Sequence, residues 1–215
     1  MNFAAVFDYY KLFVNGFLLT LQLAIMATVS GTVVGVIVAI FQTGRIKAVK
    51  PFLRIYVELF RGSPLMIQLF MIYFCLPKFG INVSMASAVF LSFTLYSGAY
   101  IAEIIRSGIE SVPLGQWEAA VSLGISYPKV LSKVIFPQTI KAALAPLIGF
   151  YLGLIKDTSL ASTIGYVELV RTAKNVMNIT GTPCEAYIVV AICFFAICWP
   201  LSKLVQFVER RQVLQ

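Results

Sequence analysis

Apolar residues run along this chain in blocks too long for a soluble core, and polar residues collect between the blocks. From Leu12 to Gly44 no charged side chain occurs. That is enough helix to cross a hydrocarbon layer of roughly 30 Å at about 1.5 Å per residue. Blocks of this kind predict five spans, at residues 13–41, 55–76, 85–105, 142–164 and 187–208. In the first, Ala27, Gly31, Gly35 and Ala39 recur every four residues and put a stripe of small side chains on one face. In lipid, close approach over small residues takes the place of apolar burial as a source of helix association. The stripe therefore predicts a helix contact, within the chain or across a subunit interface.

Residues 107–138 break the pattern. Pro113 suits a first helical turn, Ala119 and Ala120 favour helix, and Gly124 is placed to close it with a left-handed cap. Ser126 can cap a second helix ahead of Pro128, Val130, Leu131, Val134 and Ile135 give it an apolar face, and Pro137 is expected to stop it. The stretch predicts two short helices and a turn, an angled bracket lying outside the membrane.

Composition agrees with spans and not with a soluble domain. The 215 residues are 60% hydrophobic and 12% charged, with a mean hydropathy of +0.89; soluble domains carry about 25% charged residues. The expected fold class is an all-α polytopic membrane protein, one transmembrane domain over residues 1–215. The net charge of +8 suggests nucleic acid until its placement is considered. With Arg61 and Lys156 inside spans, one side of the membrane receives Arg45, Lys47, Lys50, Arg54, Arg106, Lys129, Lys133, Lys141, Lys203, Arg210 and Arg211. The other receives Lys11, Lys78, Arg171 and Lys174. This asymmetry orients the N-terminus out and the C-terminus in, and makes the 107–138 bracket cytoplasmic. "MNFAAVFDYYKLF" lacks the basic start and small-residue cleavage site of a removed signal, so the first span is expected to stay in place. No histidine occurs and the four cysteines form no CxxC pair, which argues against a zinc or haem site.

Charges within the spans need a partner or a watery cavity, since each costs about 2.5–3.5 kcal/mol at mid-bilayer on insertion scales. Glu58 and Arg61 are one helical turn apart and are expected to pair locally, as are Glu103 and Arg106, with Glu110 a further turn on. Ser97, Tyr100 and Glu103 recur every three residues, roughly on one face, and are candidates to line a polar cavity; a Glu103–Arg106 pair at the membrane edge is the alternative. Lys156 and Asp157 are adjacent, so their side chains diverge by about 100° and cannot simply neutralise each other. With Thr158 and Ser159 they form either part of a substrate cavity or a structural polar cluster.

Glu118-Ala119-Ala120, three residues, Gly124, nine residues, then Val134-Ile135-Phe136-Pro137 resembles the EAA loop of ABC-importer membrane subunits. That pattern usually ends Ile-x-Leu-Pro, from which Val134 and Phe136 depart conservatively. Three further stretches resemble the branch that carries polar amino acids: "ELFRGSPLMIQLFMIYFCLP" (58–77), "SGAYIAEIIRSGIESVPLGQWEAA" (97–120) and "LIKDTSLASTIG" (154–165). Together they cover nearly the whole chain.

The resemblance implies a multi-pass permease subunit of the cytoplasmic (inner) membrane that moves a polar amino acid by alternating access. It implies a second permease, identical or homologous, an extracytoplasmic binding protein and two cytoplasmic ATP-binding subunits. ATP and Mg would sit on those subunits and no cofactor on this chain, which has no Gly-Lys dipeptide and hence no GxxxxGK[ST] phosphate loop. Gly115, Glu118, Ala119, Ala120, Gly124 and Pro137 would couple to the ATPase. Ser97, Tyr100, Glu103, Lys156, Asp157, Thr158 and Ser159 are the candidate substrate residues. Two acids near the path lean toward a cationic or zwitterionic substrate, with arginine, lysine, histidine, glutamine and cystine all open. A self-contained secondary transporter or channel would need inverted repeats, which the sequence does not display. A Lys156/Ser159 hydrolase pair is a weak signal without histidine or a metal cluster.

Overall fold

The stripe of small residues on the first long helix decides how the bundle is built. A computed structural model describes residues 2–44 and 46–213, with side chains to residue 210. Arg45 and the Arg211 side chain, both counted in the charge asymmetry, lie outside the described residues. A short helix α1 (Phe3–Phe7) leads into α2 (Tyr10–Thr43), which packs along α5 (Met85–Glu110). A Cβ on Gly31 would stand 2.0 Å from Ser97 Oγ, and one on Gly35 2.7 Å from Ile101 Cβ. Ala27 and Ala39 are buried beside them. The stripe is thus occupied inside the chain. Hydroxyls reinforce the seam: Ser97 donates to the Ala27 carbonyl at 3.1 Å, and Ser30 and Thr94 share a hydrogen bond of 2.7 Å.

Residues 55–76, expected as one span, are two helices meeting at 107°. α3 (Lys50–Gly62) ends before Ser63, and α4 (Leu65–Phe70) runs on through a π turn at Met71–Cys75 and a 3₁₀ turn at Leu76–Phe79. Pro64 is the cause. It lacks an N–H and disfavours helical geometry in the residue before it, and Ser63 is extended at φ −124°, ψ 146°. Among the described residues four helices are long and apolar enough to cross a membrane, and five spans result if the bent pair is one. No strand occurs among the described residues.

The bracket is α6 (Leu114–Ser122) followed by α7 (Tyr127–Val130). Gly124 adopts φ +69°, and the N–H of Ile125 reaches the Ala120 carbonyl at 3.2 Å, a Schellman cap that requires the left-handed residue. Ser126 stands at the next N-cap through its backbone alone: its carbonyl accepts from Lys129 and Val130, while its side chain makes no cap bond.

The expected stop at Pro137 does not occur. A π turn at Leu131–Ile135 carries α7 into α8 (Phe136–Asp157), and a 3₁₀ turn at Thr158–Ile164 completes one 38-residue rod, Tyr127–Ile164. A widened turn gives the proline ring room that a regular helix denies. Gln138 Nε2 donates to the Val134 carbonyl at 2.8 Å and the Thr139 hydroxyl to Ile135 at 3.0 Å, satisfying acceptors the π turn disturbs.

Two further helices complete the chain. α9 (Leu169–Thr180) begins at an N-cap made by Glu168, and α10 (Pro183–Val213) presents Ile192, Phe195 and Trp199 outward, the sign of a lipid-facing surface. Buried apolar side chains gather in four clusters among the described residues. Leu23, Leu69, Phe93 and Leu154 meet at one end of the bundle, and Ile101, Ile109, Val130 and Ile135 at the bracket end.

Candidate functional site

The break between α3 and α4 leaves Arg61 one residue from the end of a helix that crosses α5. Tyr56 fixes the crossing, its hydroxyl donating to the Leu95 carbonyl at 2.7 Å. Arg61 then faces α5, with Nη1 3.3 Å from Glu103 Oε1. Its expected partner Glu58 pairs instead with Arg54, at 2.8 Å across one turn of α3. Arg54, Glu58 and Arg61 all fall within about 60° on one face of α3 and line one cavity, where Glu58 turns back to Arg54 and Arg61 reaches across to Glu103.

Glu103 is held from both sides. Arg106 clasps it through two parallel bonds, Nη2 to Oε1 at 2.7 Å and Nε to Oε2 at 2.8 Å, and also bonds Glu110. The guanidinium of Arg61 lies 5.6 Å from the Tyr100 ring centroid, within cation–π range. Tyr100 stacks on Phe150 with centroids 5.2 Å apart and planes 12° apart, and its hydroxyl reaches the Arg61 carbonyl at 3.3 Å. Tyr96 packs beside it at 4.7 Å.

Two cavities meet at this cluster. One, of about 370 Å³, runs between α2, α3 and α5 and is lined by Gln42, Lys50, Arg54, Glu58 and the three central charges. The other, of about 410 Å³, lies between α5 and α8 and is lined by Arg61, Tyr100, Glu103, Ser107, Ser111, Ala142 and Pro146. Pro146 has no N–H to give the Ala142 carbonyl four residues back, so this wall carries an acceptor without its helical donor.

The expected site residues separate into groups. Tyr100 and Glu103 come together with Arg61. Ser97 does not join them: it is fully buried against α2. Three-residue steps drift by about 60° each on a 3.6-residue helix, so Ser97 and Glu103 point about 120° apart. Lys156 and Asp157 end α8, the former exposed and the latter half-buried within electrostatic reach of Tyr96. Thr158 is fully buried, its hydroxyl donating to Ile155, and the Ser159 hydroxyl donates to the Lys156 carbonyl.

The bracket forms a separate surface. Gly115, Glu118, Ala119 and Gly124 are exposed together with the apolar side chains of Leu114, Val121 and Leu123. Ala120 is buried, anchoring α6 to Ile109, Val112 and Val130. Trp117 stacks on Tyr127 at 6.3 Å and braces the angle. Pro137 is exposed on the first turn of α8, away from the turn at Gly124.

A chain with a broken span, a charged cavity beside it and an apolar-tipped bracket at one end has counterparts among known proteins. Residues 31–213 match the family described as binding-protein-dependent transport system inner membrane component. The chain belongs to that family. It is similar to the L-cystine transport system permease protein TcyB of Bacillus subtilis (strain 168), at 35% identity over 95% of this chain and 88% of the relative. It is similar to the probable glutamine ABC transporter permease protein GlnM of the same organism, at 35% identity over 98% of each chain. Among solved structures, a crystal structure of an amino acid ABC transporter with histidines superposes with a TM-score of 0.90 at 36% identity, covering 98% of this chain and 99% of the other.

As a member of this family of inner membrane transport components, the chain is a multi-pass membrane protein, and residues beyond the predicted set build its candidate site. Those residues are Arg61, Arg106, Tyr96 and Phe150. Gly62-Ser63-Pro64 inside an apolar block is the sequence signal for the break, since proline disfavours helical geometry in the residue before it and glycine weakens the helix it ends. No signal along the chain pairs Arg61 with Glu103, because that contact joins two helices.

Proposed function

We propose that this chain is the membrane-spanning subunit of an ATP-driven ABC importer, and that it translocates a polar amino acid by alternating access. The observation that carries the proposal is Glu103 held between Arg61 and Arg106 at the meeting of two polar cavities beside a broken span. An amino acid presents an ammonium and a carboxylate a few atoms apart. Glu103 answers the first and Arg61 the second, so substrate exchanges one internal ion pair for two external ones. Tyr100 and Phe150 give its side chain an aromatic wall, and Asp157, near Tyr96, adds a second acid along the path. The names of the relatives, for cystine, glutamine and amino acids in general, support the substrate class.

The N-terminus lies outside and the bracket in the cytoplasm. There Leu114, Val121 and Leu123 enter a groove on a separate ATP-binding subunit, Glu118 supplies an anchoring charge, and Gly115 and Ala119 permit close approach. Two permease subunits enclose the pathway, two ATPases carry ATP and Mg, and an extracytoplasmic binding protein delivers substrate. A secondary transporter would pair interrupted helices in two inverted halves; the described residues contain one bent pair.

The test is uptake in proteoliposomes holding the assembled transporter. Glu103→Ala removes charge-assisted hydrogen bonds and is expected to raise the substrate KM about ten-fold or more. Asp157→Ala should raise it less. Unchanged KM in both variants would remove the basis of the site.

A further inference from the structure

A helix that ends leaves its last four carbonyls without helical donors, and a membrane interior supplies no water to take their place. α3 ends at the bend with Arg61 and Gly62 exposed, and side chains meet several of its end carbonyls. Ser63 Oγ donates to the Leu59 carbonyl at 2.8 Å, and the Tyr100 hydroxyl reaches that of Arg61 at 3.3 Å. Two more carbonyls at this end, those of Phe60 and Ser63, belong to one residue. Gln68, reaching back across the bend from α4, places its Nε2 2.8 Å from the Phe60 carbonyl and 2.9 Å from both the Ser63 carbonyl and the Ser63 hydroxyl. Those two carbonyls bracket the turn that carries Arg61.

Gln68 is 6% exposed, and its Oε1 is buried with no hydrogen-bond partner. A buried acceptor left unpaired is unfavourable, and a methionine or leucine would avoid it. The side chain is therefore explained by its donors and not by its volume. Both donor protons go to the end of α3.

We propose that Gln68 is a positioning residue of the transport site: it clamps the last turn of α3 so that Arg61 stands against Glu103. Its effect on transport rests on the reading of that cluster as the substrate site. Gln68 does not line either cavity at the cluster. It acts on the substrate through Arg61.

Two measurements test this. The first makes no use of transport. Cys75, Cys184, Cys193 and Cys198 are replaced by alanine, and Arg61→Cys and Glu103→Cys are introduced so that a short thiol-specific cross-linker can join α3 to α5. Adding Gln68→Met, of similar length but without donors, is expected to lower the cross-linking rate about five-fold or more, as two lost hydrogen bonds imply. An unchanged rate overturns the proposal. Ser63→Ala, which removes only one partner of the amide, should act in the same direction and more weakly; it serves if Gln68→Met fails to fold.

The second measurement is a double-mutant cycle on uptake by the full transporter, using whichever of labelled L-glutamine, L-arginine or L-cystine the parent takes up. Gln68→Met should raise KM about five-fold and add nothing once Arg61→Gln is present, because both changes disable one contact. Full additivity means that Gln68 acts elsewhere, and overturns the proposal. If neither change moves KM, the substrate reading of the cluster fails, and the cross-linking result alone decides whether Gln68 positions Arg61.

Discussion

A carboxylate with no exposed surface has to be held by donors, and Glu168 is held by the helix it starts. It is 0% exposed, with the N–H of Val170 at 3.0 Å and of Arg171 at 2.7 Å. Burial pushes its carboxyl above the ordinary glutamate range, against the opposing pull of those two hydrogen bonds and of nearby Lys174. The sign follows by linkage: protonation is favoured in the folded state, so the contribution to stability is full below pH 4.5 and is lost as pH rises through the raised value. Thermal unfolding of the purified chain should therefore show a midpoint that declines over that interval, and Glu168→Gln should flatten the decline. An identical pH profile in the variant would place the titration elsewhere. Gly31 makes a sharper prediction. With a Cβ only 2.0 Å from Ser97 Oγ, Gly31→Ala forces α2 from α5 and should destabilise the chain by about 1–3 kcal/mol. A thermal midpoint equal to the parent's would show that the helices do not meet there.

Features fixed by neighbouring residues were legible at the level of the element, and features fixed by distant ones were not. The stripe from Ala27 to Ala39 announces a close contact because a helix repeats its face nearly every four residues. Gly124 announces a left-handed cap because no other residue takes that geometry without strain. Its Cβ would meet nothing within 4 Å, so a substitution there is opposed by backbone strain alone. Gly124→Val should loosen the α6–α7 angle and abolish ATPase docking while the protein remains inserted; retained co-purification of the ATPase would contradict a coupling role. Pro137 misled because the π turn that accommodates it has no signature in composition. Ser97 misled because three-residue spacing drifts around a helix, a drift that matters when Ser97 meets α2 and Glu103 meets α3. The pairing of Arg61 belongs to the same class, since it depends on where the 107° bend aims a helix end.

For the molecule as a whole, a thin bundle of four long helices and one bent pair carries a charged cluster on one side of its seam and an apolar-tipped bracket at one end. Under the proposed function the cluster supplies opposite charges that a zwitterion exchanges for its own, and the bracket is the lever that a nucleotide-driven partner moves. α8 joins them physically. It lines the cavity with Ala142 and Pro146, and its 38-residue rod begins at the bracket, which under the proposed function is the route by which a push on α6 and α7 reaches the site. Under the proposed function this lever and this cluster together import an amino acid at the expense of ATP. The most direct measurement is uptake of labelled L-glutamine, L-arginine and L-cystine into proteoliposomes containing this chain with its ATPase and binding protein, with ATP present or absent. Accumulation of at least one of them is expected, requiring ATP and the binding protein and lost in Glu103→Ala; accumulation by this chain alone, without either partner, would overturn the proposed function.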